Sequence, residues 1–127
     1  MKRVLIVEDS LYMRSLLRIE LRKAGYEIVG EAGDGITAIE LVHKLNPDIV
    51  TLDNILPDML GIEVLEYIHS HGLNAVVIMV TAMNHDLLHE RAGALNAEGF
   101  LSKPFKPGAV KEVLDDAIKK HHLYHKF

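Results

Sequence analysis

The sequence predicts an α/β domain, a doubly wound, five-stranded parallel sheet with helices on both faces. Three observations point there. Short apolar runs alternate five times with helix-period segments, joined by short connections. Runs such as "AVVIMV" are apolar without alternation, the pattern of strands covered on both faces. The 127 residues, 49% hydrophobic and 25% charged, suit one ordinary globular domain.

Val4–Val7 reads as the first strand. Lys2 and Arg3 ahead of it mimic a signal start, but the apolar run is far shorter than the roughly 7–15 residues of a secretory h-region. Ser10 can cap a helix whose Leu16, Leu17, Leu21 and Ala24 recur at three- and four-residue steps, with Gly25 as its stop. "YEIVGEA" is the second strand. Asp34 can cap a second helix with Ile36, Ile39, Val42 and Leu45 on its inner side, ended by Asn46-Pro47. "DIVTL" is the third strand. A third helix runs from Met59 to about His69, carries Ile62, Leu65 and Ile68, and stops near Gly72. "AVVIMV" is the fourth strand. A fourth helix starts at Asn84, with Leu88, Arg91, Ala92 and Leu95 in register, Leu87-Leu88 in the core and Asn96 as its end. "EGFLS" is the fifth strand. Pro107 falls in the first turn of a last helix with Val110, Val113, Leu114, Ala117 and Ile118 inward. Residues 1–120 form the domain, and 121–127, "HHLYHKF", read as a tail: an extension of the last helix, a partner contact or a disordered end.

Composition excludes several function classes. There is no Cys, so disulfides, Cys-bound zinc and thiol nucleophiles are out. No apolar run approaches the roughly 20 residues that cross a bilayer. The net charge of −4 speaks against non-specific nucleic-acid binding. A cytoplasmic monomer is expected, with no direct nucleic-acid or membrane contact.

The polar residues fall at the carboxyl ends of the strands: Glu8 and Asp9, Asp53, Thr81 and Lys103. In an open parallel sheet these ends share one rim, where ligands bind at the switch in strand order. Clustered carboxylates either take up protons or hold a cation. Hard oxygen ligands without His or Cys favour Mg²⁺, with Mn²⁺ as a substitute, over zinc. A hydroxyl and an ammonium beside them can receive a phosphate, and an Asp carboxylate can itself be a nucleophile. The bland readings are a strand-end turn at Asp53, anions at a helix start for Glu8-Asp9, an exit turn at Thr81 and a solvated loop lysine at Lys103. Each suits its residue alone and none explains the set.

Four motifs, "VLIVEDS", "LDNILPDMLG", "MVTA" and "GFLSKPF", occur in order, each at a strand end. Together they resemble the receiver domain of bacterial two-component response regulators, particularly its single-domain chemotaxis members, over residues 2 to about 120. The resemblance implies a flavodoxin-like sheet of order 2-1-3-4-5. It implies Asp53 as phosphoacceptor and Mg²⁺ on Glu8, Asp9, Asp53 and the backbone carbonyl of Ile55. Thr81 and Lys103 would contact the phosphate, Phe100 would be the switch aromatic, and the Lys103-Pro104 peptide would be cis. The implied partners are a sensor histidine kinase and an output protein, a motor switch protein or a His-phosphotransfer domain. The chain would catalyse only its own phosphorylation and dephosphorylation. With no room after residue 120 for a helix-turn-helix or an effector enzyme, output is expected by protein contact on the fourth helix, fifth strand and last helix, around Phe100 and Lys106. A phosphorelay intermediate and a receiver cut from a DNA-binding regulator are the alternatives.

The pattern departs from the family in places. Glu8 stands where Asp is also common, Leu56 where Met is frequent and Leu60 where a polar residue is frequent. Phe100 lacks a Tyr hydroxyl. Apolar Ile55 and Met83 stand where the side chain influences water attack on the acyl phosphate, so dephosphorylation at an altered rate is expected. Flavin binding at the same rim would call for a Ser/Thr/Gly phosphate loop after the first strand, and "EDSLYM" places two negative charges there instead. Phosphatases with a strand-end Asp nucleophile use Asp-x-Asp, and Ile55 breaks that pattern. The pairs His85/His89 and His121/His125 have a spacing that can hold a metal on one helix face. No third ligand is evident, and they read as solvated surface.

Overall fold

The computed structural model describes residues 2–82 and 97–124, the side chains of 122–124 excepted. Five parallel strands, β1 (Arg3–Val7), β2 (Glu27–Ala32), β3 (Ile49–Asp53), β4 (Val76–Thr81) and β5 (Gly99–Ser102), form one sheet of order β2-β1-β3-β4-β5. The predicted strands, sheet type and order all appear. Helices α1 (Leu11–Lys23), α2 (Gly35–Leu45) and α3 (Gly61–Ser70) and a C-terminal helix (Ala109–Tyr124) cover it.

Alternate residues of each strand feed two cores. Leu5, Val7, Val50, Leu52, Val77 and Met79 pack with Ala38 and Val42 of α2 and Ile62, Leu65 and Ile68 of α3. Val4, Ile6, Ile49, Val76, Ile78 and Val80 pack with Leu17 and Leu21 of α1 and Val110, Leu114 and Ala117 of the C-terminal helix. β3 lies in the middle and every residue of it is buried. That is why its sequence is apolar apart from Thr51 and the terminal Asp53: each apolar side chain removed from water contributes roughly 1.5–3 kcal/mol.

The caps follow the sequence. Ser10 accepts from the Met13 amide, and Asp34 from the Thr37 amide. Asn46 ends α2 in the left-handed conformation, φ 47°. Four expectations are corrected. Ile36 is 59% exposed, not inward, because α2 lays the small residues Gly35 and Ala38 and then Val42 against the core. The third helix starts at Gly61, two residues after Met59, because residues 54–60 fold into a loop of their own. Pro107 lies in a turn before the last helix, since Gly108 has φ +88° and the helix begins at Ala109. His121 is 4% exposed rather than solvated: its ring nitrogens face Glu98 Oε1 at 3.3 Å and Asn74 Oδ1 at 3.1 Å. The last helix continues through Tyr124, into the stretch read as a tail. The predicted fourth helix from Asn84 to Asn96, its Leu87-Leu88, Met83, His85, His89 and His125 lie outside the described residues.

Candidate functional site

Register explains how residues distant in sequence meet. Val7 pairs with Leu52 across β1 and β3, so Glu8 and Asp53 are the next rung. Asp53 pairs with Val80, one residue before Thr81, and Thr81 pairs with Ser102, one before Lys103. Neighbouring strands lie about 4.8 Å apart, so all these residues fall within one step of the same rim. The Lys103 amide closes the far side by donating to the Thr81 carbonyl at 2.8 Å. The order of connection reverses between β1 and β3, which makes this rim the switch point of the fold.

Three carboxylates converge there. Glu8, Asp9 and Asp53 each offer an oxygen within 4.8 Å of the others. Glu8 is 1% exposed and Asp53 7%, while Asp9 is open to solvent. Glu8 is fixed by several bonds. Its amide donates to Ala32 O at 2.9 Å, its Oε2 accepts from the Ser10 amide at 3.0 Å, and its carbonyl accepts from the Arg14 guanidinium. Arg14 also lies 3.7 Å from Glu31, whose carboxyl is held below its ordinary range mainly by hydrogen bonds from Arg18.

Lys103 supplies the opposing charge. Its ammonium lies 2.5 Å from Glu8 Oε1 and 3.1 Å from Asp53 Oδ2. Burial pushes the Glu8 carboxyl above its ordinary pKa, and the Lys103 contact opposes that without cancelling it. Burial also disfavours the charged form of Lys103, but the bonds to Glu8 and Asp53 outweigh it and raise its pKa. The other oxygen of Asp53, Oδ1, accepts from the Ile55 amide at 3.1 Å. Each carboxylate oxygen of Asp53 thus has a donor, and the group keeps one orientation.

All the predicted site residues have definite places. Glu8, Asp9, Asp53 and Lys103 are gathered in contact or near contact. Thr81 is buried at the end of β4. Phe100 is half-buried against the core on the α2–α3 face, and Lys106 is exposed. The Lys103-Pro104 peptide is cis, as expected.

A divalent ion fits these residues. One ammonium does not balance three carboxylates, and among the described residues no other group of His, Cys, Asp or Glu could hold a metal. The donors are hard oxygens, which suit Mg²⁺ or Mn²⁺.

Sequence reasoning assigned no role to three contributors, although Gly61 stands in the quoted motif. Gly61 donates its amide to Asn54 O at 2.7 Å, and a Cβ there would overlap the Asp53 carbonyl oxygen and come within 2.8 Å of Asn54 Cα. The motif glycine therefore lets α3 begin directly against the strand end. Asn54 accepts from the Ile62 amide. Asp58 accepts from the Gly35 and Ile36 amides. Pro57-Asp58 carries a turn signal, but nothing local marks the partner of Asp58 on α2.

The fold and site define a doubly wound α/β domain with an acidic, cation-competent pocket and an internal lysine at its switch point. The chain belongs to the response regulator receiver domain family, whose model matches residues 4–115. It is 42% identical over 118 residues to the chemotaxis protein CheY of Thermotoga maritima, covering 93% of this chain and 98% of that one. It is 38% identical over 119 residues to the transcriptional regulatory protein PdtaR of Mycobacterium tuberculosis, covering 94% of this chain and 58% of that one. Among solved structures, the chemotaxis response regulator CheY4 of Vibrio cholerae matches with TM-score 0.83 and 28% identity, covering 92% of this chain and 98% of that one.

Proposed function

We propose that this chain is a phosphorylation-activated switch that takes a phosphoryl group from a histidine kinase onto Asp53. The observation that carries the reading is the pocket itself. Asp53 is nearly buried, oriented by Ile55 and Lys103, and gathered with Glu8 and Asp9. An Asp53 oxygen forms the new bond to phosphorus as the phosphorus–nitrogen bond of the donor phosphohistidine breaks. The donor ring, protonated on its other nitrogen, leaves as neutral imidazole.

Glu8, Asp9, Asp53 and the Ile55 carbonyl would hold Mg²⁺, or Mn²⁺ in its place. When bound, that ion neutralises the negative charge that gathers on the phosphoryl oxygens. Lys103 pairs with the added phosphate, and the Thr81 hydroxyl donates to it. Both bind the phosphate better in one conformation than in another, which shifts an existing equilibrium. The chain acts on itself and releases no external product.

Output passes by protein contact in the cytoplasm, through the monomer's surface around Phe100 and Lys106. The likeness to CheY proteins supports a chemotaxis output at the flagellar motor switch. The match to PdtaR favours a second reading, a transcriptional output. Incubation with Mg²⁺ and acetyl phosphate tests the core assignment. The wild type gains the mass of one phosphoryl group, and Asp53→Asn gains none. Full labelling of Asp53→Asn refutes it. Binding of the phosphorylated protein to a motor switch protein separates the two outputs.

A further inference from the structure

The loop after β3 carries two parts of the proposed site, Asp53 at its start and the Ile55 carbonyl two residues on. It is closed internally. The Ile55 amide bonds Asp53, Ile55 bridges Leu60, the Leu56 amide bonds Met59 O at 3.2 Å, and the Gly61 amide bonds Asn54 O. Leu56 anchors it in the core. The tip of the loop is fastened elsewhere, to the first turn of α2. Asp58 Oδ1 accepts from the Gly35 amide at 2.7 Å, and Oδ2 accepts from the Ile36 amide at 2.9 Å.

Two features make this attachment specific. A helix begins with four amide groups that have no partner within it. In α2 the Thr37 amide goes to Asp34 Oδ1 and the Ala38 amide to Asp34 O. The other two, Gly35 and Ile36, go to Asp58 of a different loop. The first turn is therefore complete only when the loop is seated. Gly35 is also the residue that the loop covers: a Cβ there would overlap Met59 Cγ and lie 2.5 Å from its Sδ. Hydrogen bonds and a side chain lying over a glycine thus fix the same contact independently. The two backbone donors also hold the Asp58 carboxyl below its ordinary range, so it is ionised at neutral pH.

We infer that Asp58 is a positioning residue for the ion and phosphoryl chemistry at Asp53: by clamping the 54–60 loop onto α2, it fixes the Ile55 carbonyl relative to the three carboxylates. The inference rests on the proposed reading of Asp53. Asp58 itself touches neither the ion nor the phosphate. Groups that orient a metal's ligands typically change affinity by about 10–100-fold when removed. Asp58 is exposed and water can replace its bonds, so the lower end is expected.

The test uses Asp58→Ala, Asp58→Asn and Asp53→Asn in the full chain. Calorimetric titration reads Mg²⁺ affinity, amide exchange by NMR reads Gly35 and Ile36, and acetyl phosphate labelling is followed against Mg²⁺ concentration. We expect Asp58→Ala to bind Mg²⁺ about tenfold more weakly and to exchange the two amides faster. Its labelling rate should return to within about twofold of wild type at saturating Mg²⁺, a pattern that general loosening would not give. Asp58→Asn, which keeps one accepting oxygen, should fall between. Unchanged Mg²⁺ affinity in Asp58→Ala with accelerated exchange at Gly35 and Ile36 overturns the inference, as does a labelling defect that saturating Mg²⁺ leaves in place. Labelling of Asp53→Asn overturns the underlying reading instead, so the two failures are distinct.

Discussion

Lys103→Met removes the ammonium that faces Glu8 and Asp53 and keeps most of the aliphatic stem. At an effective dielectric of about 20, Coulomb's law gives roughly 7 and 5 kcal/mol for contacts of 2.5 and 3.1 Å. Desolvation of the ions offsets much of that, and removal of one partner of a buried pair costs about 3–5 kcal/mol, because the other charge is left behind. The Lys103 side chain keeps 15% exposure, so water can enter in its place. We expect about 3 kcal/mol of lost stability at pH 7 in chelator. The assay is urea unfolding followed by circular dichroism, since the chain has no Trp. Two conditions sharpen it. Mg²⁺ at about 100 times its Kd adds about 2.7 kcal/mol and should recover most of the loss. Lowering the pH from 7 toward 5 should shrink the deficit. The sign follows from burial, which raises the Glu8 carboxyl: a folded state that binds its proton more tightly than the unfolded chain gains stability as pH falls. The variant, without Lys103 to oppose burial, is raised further. A loss below about 1 kcal/mol in chelator, or a deficit that grows at acid pH, would refute the reasoning.

Three further outcomes are expected. Gly61→Ala forces a Cβ onto the Asp53 carbonyl oxygen, which is backbone and cannot step aside, so about 1–3 kcal/mol is lost, read from the urea midpoint. His121→Ala leaves Glu98 and Asn74 facing an enlarged cavity, already about 250 Å³ and lined by Leu65, Ile68 and Val77, and lowers stability by about 2 kcal/mol, against Asp116→Ala as an exposed control. The stabilisation from the depressed carboxyl of Glu31 is present at neutral pH and lost as pH falls through its folded pKa; in Arg18→Met the carboxyl should titrate at higher pH in a carbon-13 NMR series.

Much of this was legible in the sequence, for local reasons. A strand covered on both faces must be apolar, so "IVTLD" announced both β3 and the oddity of its last residue. Caps are local too, and Ser10 and Asp34 act as read. What failed depended on distances between elements. Ile36 fits the inner period of α2, yet small residues bring that helix close along a different stripe. His121 sits in a polar stretch that reads as solvated, and only the meeting of the approaches to β4 and β5 with the last helix brings Asn74 and Glu98 to its ring. The 2.5 Å contact of Lys103 with Glu8 and the clamp from Asp58 to α2 join residues tens of positions apart, and no periodicity records them.

Lys103 and a divalent ion would claim the same two carboxylates, Glu8 and Asp53, and this shapes how the pocket can work. With no ion bound, the ammonium keeps a nearly buried Glu8 from being an unpaired charge, so the fold is sound before any signal arrives. Three carboxylates against one ammonium remain in excess, so a second cation still gains. Ion affinity is then a difference between two attractions rather than a sum. Charge and geometry make opposite predictions at the two residues flanking the site. Removing Lys103 should destabilise the chain yet tighten Mg²⁺, because a competitor is lost. Removing Asp58 should leave the charge in the pocket unchanged yet weaken Mg²⁺, because the loop that presents the Ile55 carbonyl is freed. If both substitutions moved affinity in the same direction, competition for shared carboxylates would not be what sets it.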